Sequence, residues 1–84
     1  MIFNVSLTKR AIKDAKKLKG IGLKDKAEEL IQIIRVNPFQ NPPFYEKLRG
    51  YSKRYARKIN DQHRLVYEIF ENKIKIISMW THYE

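Results

Sequence analysis

Three runs rich in β-branched and aromatic residues, Arg54–Ile59, His63–Phe70 and Lys73–Trp80, follow one another with only short polar breaks between them. The breaks are Asn60-Asp61-Gln62 and Glu71-Asn72, residue types that turn a chain back on itself. Connections this short join antiparallel neighbours, so the C-terminal third reads as a three-stranded meander. In the middle strand, two-residue alternation puts His63, Leu65, Tyr67 and Ile69 on one face and Arg64, Val66, Glu68 and Phe70 on the other. In the last strand Ile74, Ile76, Ser78, Trp80 and His82 line up opposite Lys75, Ile77 and Met79. Arg64 stands out, because a cation projecting from a half-buried strand needs an anionic partner or an anionic substrate.

Upstream the pattern changes to helical. Ile2-Phe3-Asn4-Val5 reads as a first strand, and Ser6 or Thr8 can cap the helix that follows. That helix runs to about Lys19, with Ala11, Ala15 and Leu18 along one face and Ile12 beside it. Its outer face carries Lys9, Arg10, Lys13, Lys16, Lys17 and Lys19, relieved only by Asp14. Cations in a first turn oppose the helix dipole, so Lys9 and Arg10 are not explained by helix stability. Gly20-Ile21-Gly22 breaks the helix, and a second one spans about Leu23 to Val36, ended by Asn37-Pro38. Gln40-Asn41-Pro42-Pro43 is a stiff connector, Phe44–Leu48 a short edge strand and Arg49–Lys53 a loop. The expected fold is α+β: an N-terminal strand, a two-helix hairpin covering one sheet face, then an antiparallel-rich sheet whose other face is open.

The 84 residues suit one small domain. There is no cysteine, which excludes a disulfide framework and a thiolate metal site, and suits the reducing cytoplasm. No apolar run is long enough to span a bilayer, and the N-terminus lacks a signal-peptide pattern. Eighteen Lys and Arg against nine acids give a net charge of +9, a field suited to nucleic acid or an acidic protein. The basic first helix lacks the bulky apolar face that membrane insertion requires.

Groups able to do chemistry are few. No His/Cys/Asp/Glu cluster has ligand spacing, which argues against a metal site. The glycines form no phosphate-binding loop, and no Ser/His/Asp triad can be assembled persuasively from Ser6, Ser52 and Ser78. Cleavage of RNA by its own 2′-OH asks for less: a base, an acid, and cations for the charge that builds on phosphorus. The chain offers Glu46 ahead of the meander, Arg64 within it and His82-Tyr83 at its end. Taken singly, each also fits an ordinary surface or structural role.

His63-Arg64-Leu65-Val66-Tyr67, preceded by Arg57-Lys58-Ile59 and followed by His82-Tyr83, resembles the YoeB/Txe branch of the RelE-like toxins. Pro38-Phe39 and Glu46-Lys47-Leu48-Arg49 fit segments of that family in order and at similar spacing. The resemblance implies a RelE/YoeB-like microbial ribonuclease fold and a ribosome-dependent mRNA endonuclease that needs no cofactor. It implies a YefM/Axe-like antitoxin whose acidic segment covers the active site, with the ribosome and A-site mRNA as further partners. Carried over by position, Glu46 is the general base and His82 the general acid. Arg64 stabilises the transition state, Tyr83 positions the phosphate or the acid, and Arg49, Arg57 and Lys58 contact RNA phosphates. Tyr45 and Lys47 stand where the family usually has prolines around the glutamate, and Lys58 where it has an arginine. A homodimer through the helical hairpin is compatible with this pattern. The rival reading is a basic RNA- or antitoxin-binding module without turnover, for which Glu46, His82 and Tyr83 would have no use.

Overall fold

The computed structural model describes residues 2–80. Strand β1 (Asn4–Leu7) leads into helices α1 (Lys9–Gly20) and α2 (Lys24–Val36), followed by strands β2 (Tyr45–Lys47), β3 (Arg54–Lys58), β4 (Arg64–Phe70) and β5 (Lys73–Ser78). The sheet order is β1-β5-β4-β3-β2. All neighbours are antiparallel except β1, which lies parallel to β5 with Val5 opposite Ile74 and Leu7 opposite Ile76. No described helix is long and apolar enough to cross a membrane.

Thr8 turns the first strand into the first helix. Its hydroxyl oxygen accepts from the Ala11 amide at 3.0 Å and its hydroxyl donates to the Ile77 carbonyl at 2.7 Å. One side chain thus caps α1 and ties the cap to β5. At the other end Gly22, at φ +77°, takes the left-handed conformation that the turn into α2 requires. Both helices cover the same sheet face. Ala11, Leu18, Ala27, Leu30 and Ile34 pack on Leu65, Tyr67, Ile74, Ile76 and Met79, all buried. Burying each large aliphatic side chain contributes about 1.5–3 kcal/mol.

Two details differ from the sequence pattern. Val66 pairs with Ser78 while the next residue, Tyr67, pairs with Ile76, so Ile77 is an extra residue in a β-bulge. Beyond the bulge the alternation reverses: Met79 enters the core, and Ser78 joins the open face instead of the Ile74–Ile76 row. The second detail is Asp14, which the helical pattern puts on the solvated face of α1. It is 3% exposed, and its carboxylate accepts from the Met79 amide at 3.0 Å, with Arg10 Nε 3.9 Å away. It therefore provides the acceptor for an amide just past the end of β5. Asp14→Ala is expected to leave that buried donor unpaired and cost about 1–3 kcal/mol. Asp14→Asn, which keeps an acceptor, should cost less, and thermal denaturation of the two variants measures the difference.

Candidate functional site

The face of the sheet away from the helices carries the polar groups. Across it, Glu46 lies opposite Ala56, Ala56 opposite Val66, and Val66 opposite Ser78. Directly opposed residues project to the same side, so the four side chains form one row. One step along the strands, Lys58 lies opposite Arg64 on the same face. Strand spacing and rise place the Glu46 and Arg64 Cα atoms roughly 12 Å apart. The floor between them is built from the small side chains of Ala56 and Val66, both buried.

Arg64 is half-buried and held from behind. Its Nη1 donates to the carbonyls of Asn60 at 3.1 Å and Asp61 at 3.3 Å, in the turn joining β3 to β4. That turn is itself fixed, because Asn60 Oδ1 accepts from the amides of Gln62 at 2.9 Å and His63 at 2.8 Å. The Arg64 amide closes the strand by donating to the Trp80 carbonyl at 3.0 Å. The guanidinium is thus positioned before any ligand arrives. Lys58 is exposed beside it, Glu46 is exposed on β2, and Arg49 is exposed in the turn after β2. His82 and Tyr83 lie outside the described residues.

Arg57 is a correction. The family resemblance puts it on the surface beside Lys58, but alternation along β3 turns it to the opposite face, where it is 1% exposed. Its Nη1 donates to the Pro43 carbonyl at 2.7 Å, Nη2 to the Pro38 carbonyl at 3.0 Å and Nε to the Tyr67 hydroxyl at 3.3 Å. The Tyr67 hydroxyl in turn donates to the Pro38 carbonyl at 2.7 Å. The Arg57 guanidinium stands 5.1 Å from the Tyr45 ring centroid and 5.9 Å from that of Tyr67. Phe39 and Tyr55 extend this aromatic cluster, with ring centroids 5.3–6.0 Å apart between neighbours. Arg57 pins the 38–43 connector across this end of the sheet. A cation so engaged holds the scaffold behind β2 and is not a phosphate contact.

Burial raises the Tyr67 phenol above its usual value near 10, and the Arg57 charge and hydrogen bond offset part of that rise. The folded state therefore holds this proton more tightly than the unfolded chain. The resulting stability is present in full below about pH 10 and is lost as pH climbs through the folded-state value. Alkaline unfolding should steepen above about pH 10 in the native chain and less so in Tyr67→Phe. Chemical denaturation at stepped pH tests this, and identical slopes for the two proteins would refute it.

His63, the other histidine, is buried with its ring 4.4 Å from that of Trp80. Among the described residues, no group of three His, Cys, Asp or Glu is placed to hold a metal ion. The open face also holds a cavity of about 560 Å³, lined by Tyr51, Lys53, Glu68, Phe70, Lys73 and Lys75 among others. None of these residues stands out as a site residue in the sequence. Their signal lies in the alternation, which puts Lys73 and Lys75 directly opposite Phe70 and Glu68.

This sheet with two helices on one face and cations on the other is the fold of the RelE-like toxins. The chain matches a chain of the archaeal RelE–RelB complex from Pyrococcus horikoshii OT3 with a TM-score of 0.78, at 21% identity, over 96% of each chain. Sequence identity is higher for several YoeB chains. The YoeB dimer structure from Staphylococcus aureus matches with a TM-score of 0.84, at 32% identity, over 99% of this chain and 100% of that one. A YoeB–YefM complex from the same organism matches with a TM-score of 0.80 at 32% identity, over 99% of this chain and 100% of that one. Toxin YoeB of Synechocystis sp. is 39% identical over 75 residues, covering 84% of this chain and 77% of that protein. The family model of the YoeB-like toxin of bacterial type II toxin–antitoxin systems matches residues 8–83. The chain belongs to that family of toxins.

Proposed function

We propose that this toxin is a ribosome-dependent endoribonuclease that cuts mRNA in the A site with side-chain acid–base chemistry. The observation that carries the reading is the shared face of Glu46, Lys58 and Arg64, which lie across three adjacent strands over a floor of small side chains. In the reaction, the Glu46 carboxylate takes the proton from a ribose 2′-OH, and that oxygen attacks the adjacent phosphorus. Arg64, anchored through Nη1, presents its remaining donors to the phosphoryl oxygens as negative charge builds. His82 protonates the departing 5′ oxygen, and Tyr83 positions the phosphate or the acid. The products are a 2′,3′-cyclic phosphate and a free 5′-OH; water can open the first to a 3′-phosphate. Lys58 and Arg49 hold neighbouring phosphates as point charge and fork respectively.

The net charge of +9, with the cations of α1, suits docking on ribosomal RNA in the cytoplasm. A YefM-like antitoxin would bind the chain, by extension from the S. aureus complex, and an acidic segment of it would compete for the basic open face. A homodimer would use the helical hairpin, where Ile12 and Ile21 are exposed. Residues 1–84 act together as a single toxin domain.

The test compares the purified chain on a defined mRNA carried by translating ribosomes with the same RNA alone. Cuts confined to the A-site codon, ending in a cyclic or 3′-phosphate, are the expected result. Equal turnover on naked RNA would contradict ribosome dependence. No cleavage of either substrate would reduce the protein to a binding module.

A further inference from the structure

The open face continues beyond Glu46 and Arg64 into the cavity beside the 50–53 turn. The next row along the strands is Arg54, Glu68 and Lys75, and the one after it pairs Phe70 with Lys73. These rows lie roughly 7 and 13 Å from the Ala56–Val66 row, so a strand of RNA crossing the catalytic groups would run into them. Lys53, Lys73 and Lys75 give the cavity its charge. Its carboxylate, Glu68, is already bound by Arg54 through Nη2 at 2.9 Å and Nε at 3.3 Å, leaving the lysines in excess.

Two aromatic rings complete the wall. Phe70 is 61% exposed and Tyr51 39% exposed. Each already carries a cation on a ring face: Lys53 Nζ stands 5.6 Å from the Phe70 centroid, and the Arg54 guanidinium 4.1 Å from that of Tyr51. An exposed phenylalanine beside paired lysines matches what a single-stranded nucleotide needs, a flat apolar surface for the base and cations for the phosphate. A cavity of about 560 Å³ is within the size range of small-molecule sites.

We infer that this cavity is a nucleotide subsite, which takes a base of the RNA strand flanking the scissile bond against Phe70 and its phosphate on Lys73 and Lys75. The assignment rests on the ribonuclease reading above and adds to it an interaction that does no chemistry. An acidic peptide would use the lysines but gains little from the ring.

The experiment measures binding of a labelled 2′-O-methyl RNA hexanucleotide, which cannot be cut, by fluorescence anisotropy. Phe70→Ser should weaken it by about 5- to 150-fold, the range for losing one base–aromatic stack. Phe70→Tyr should restore it, and an abasic oligonucleotide should not distinguish the three proteins. Lys73→Gln with Lys75→Gln should lower the salt dependence by about 0.7 in log–log slope, the amount for one phosphate that is no longer neutralised. Unchanged affinity in Phe70→Ser overturns the subsite. Loss of polyglutamate binding in the lysine variant, with RNA binding intact, overturns it in favour of a protein-docking surface. Glu46→Ala separates the two readings: it should keep hexanucleotide binding and lose mRNA cleavage. Cleavage unaffected by Glu46→Ala counts against the mechanism, whatever Phe70→Ser does to binding.

Discussion

Glu46→Ala should lower the rate of mRNA cleavage on translating ribosomes by about 10²- to 10⁴-fold, the usual loss on removing a general base. The fold should survive, because Glu46 is exposed on the three-residue edge strand β2. Arg64→Ala should cost about 10²- to 10³-fold through loss of a preorganised charge at the phosphorane. Arg64→Lys should recover only part of this. Lysine brings a point charge and cannot make the guanidinium's fork, so it holds either the turn carbonyls or the phosphate, not both. The measurement is single-turnover cleavage with saturating toxin, which isolates the chemical step from binding. If growth arrest and cleavage persist in Glu46→Ala and Arg64→Ala, the proposed mechanism fails.

The second large effect concerns stability. Arg57→Ala should destabilise the protein by about 3–5 kcal/mol, since it opens a cavity, takes the guanidinium donor from the Pro43 carbonyl and leaves the Pro38 carbonyl to Tyr67. For a domain of this size that lowers Tm by more than about 10 °C. Arg57→Lys should fall between the two, keeping the charge but not the three-way reach of the guanidinium. Cleavage should fall in Arg57→Ala only in proportion to the unfolded fraction. A variant with unchanged Tm but a shallower salt dependence of RNA binding would return Arg57 to the surface role that its charge first suggests.

Most of the sheet is legible in the amino-acid order, and the reasons for the misses are specific. The three C-terminal strands are readable because alternation and turn residues agree, and the start of α1 because capping has a local signature, which Ser6 fits as well as Thr8. Arg57 is misplaced when charge is weighed above position: its neighbours two residues away, Tyr55 and Ile59, already point to the covered face. Asp14 is similar, lying one helical turn from both Ala11 and Leu18. The exchange of Ser78 and Met79 has no such sign. A bulge shifts the register through a pairing across strands, and nothing in Ile76-Ile77-Ser78 announces which residue is extra. The parallel pairing of β1 with β5 is equally silent, since strand composition does not name a partner. At the site, Glu46, Lys58 and Arg64 can be grouped by parity once the strands are paired, whereas the Phe70 cavity requires knowing that the 50–53 turn stands next to β5.

The pairing of β1 with β5 also has a consequence in time. Synthesis delivers Asn4–Leu7 first, but their hydrogen-bonding partners, Lys73–Ser78, emerge some seventy residues later. Asp14 likewise waits for Met79, and Thr8 for Ile77. The core cannot close around the helices until that last strand arrives, because non-local contacts must form before they stabilise anything. A nascent chain of this toxin therefore lacks its finished sheet until β5 has left the exit tunnel. On the ribonuclease reading, a nascent copy cannot act on the ribosome that is making it before then.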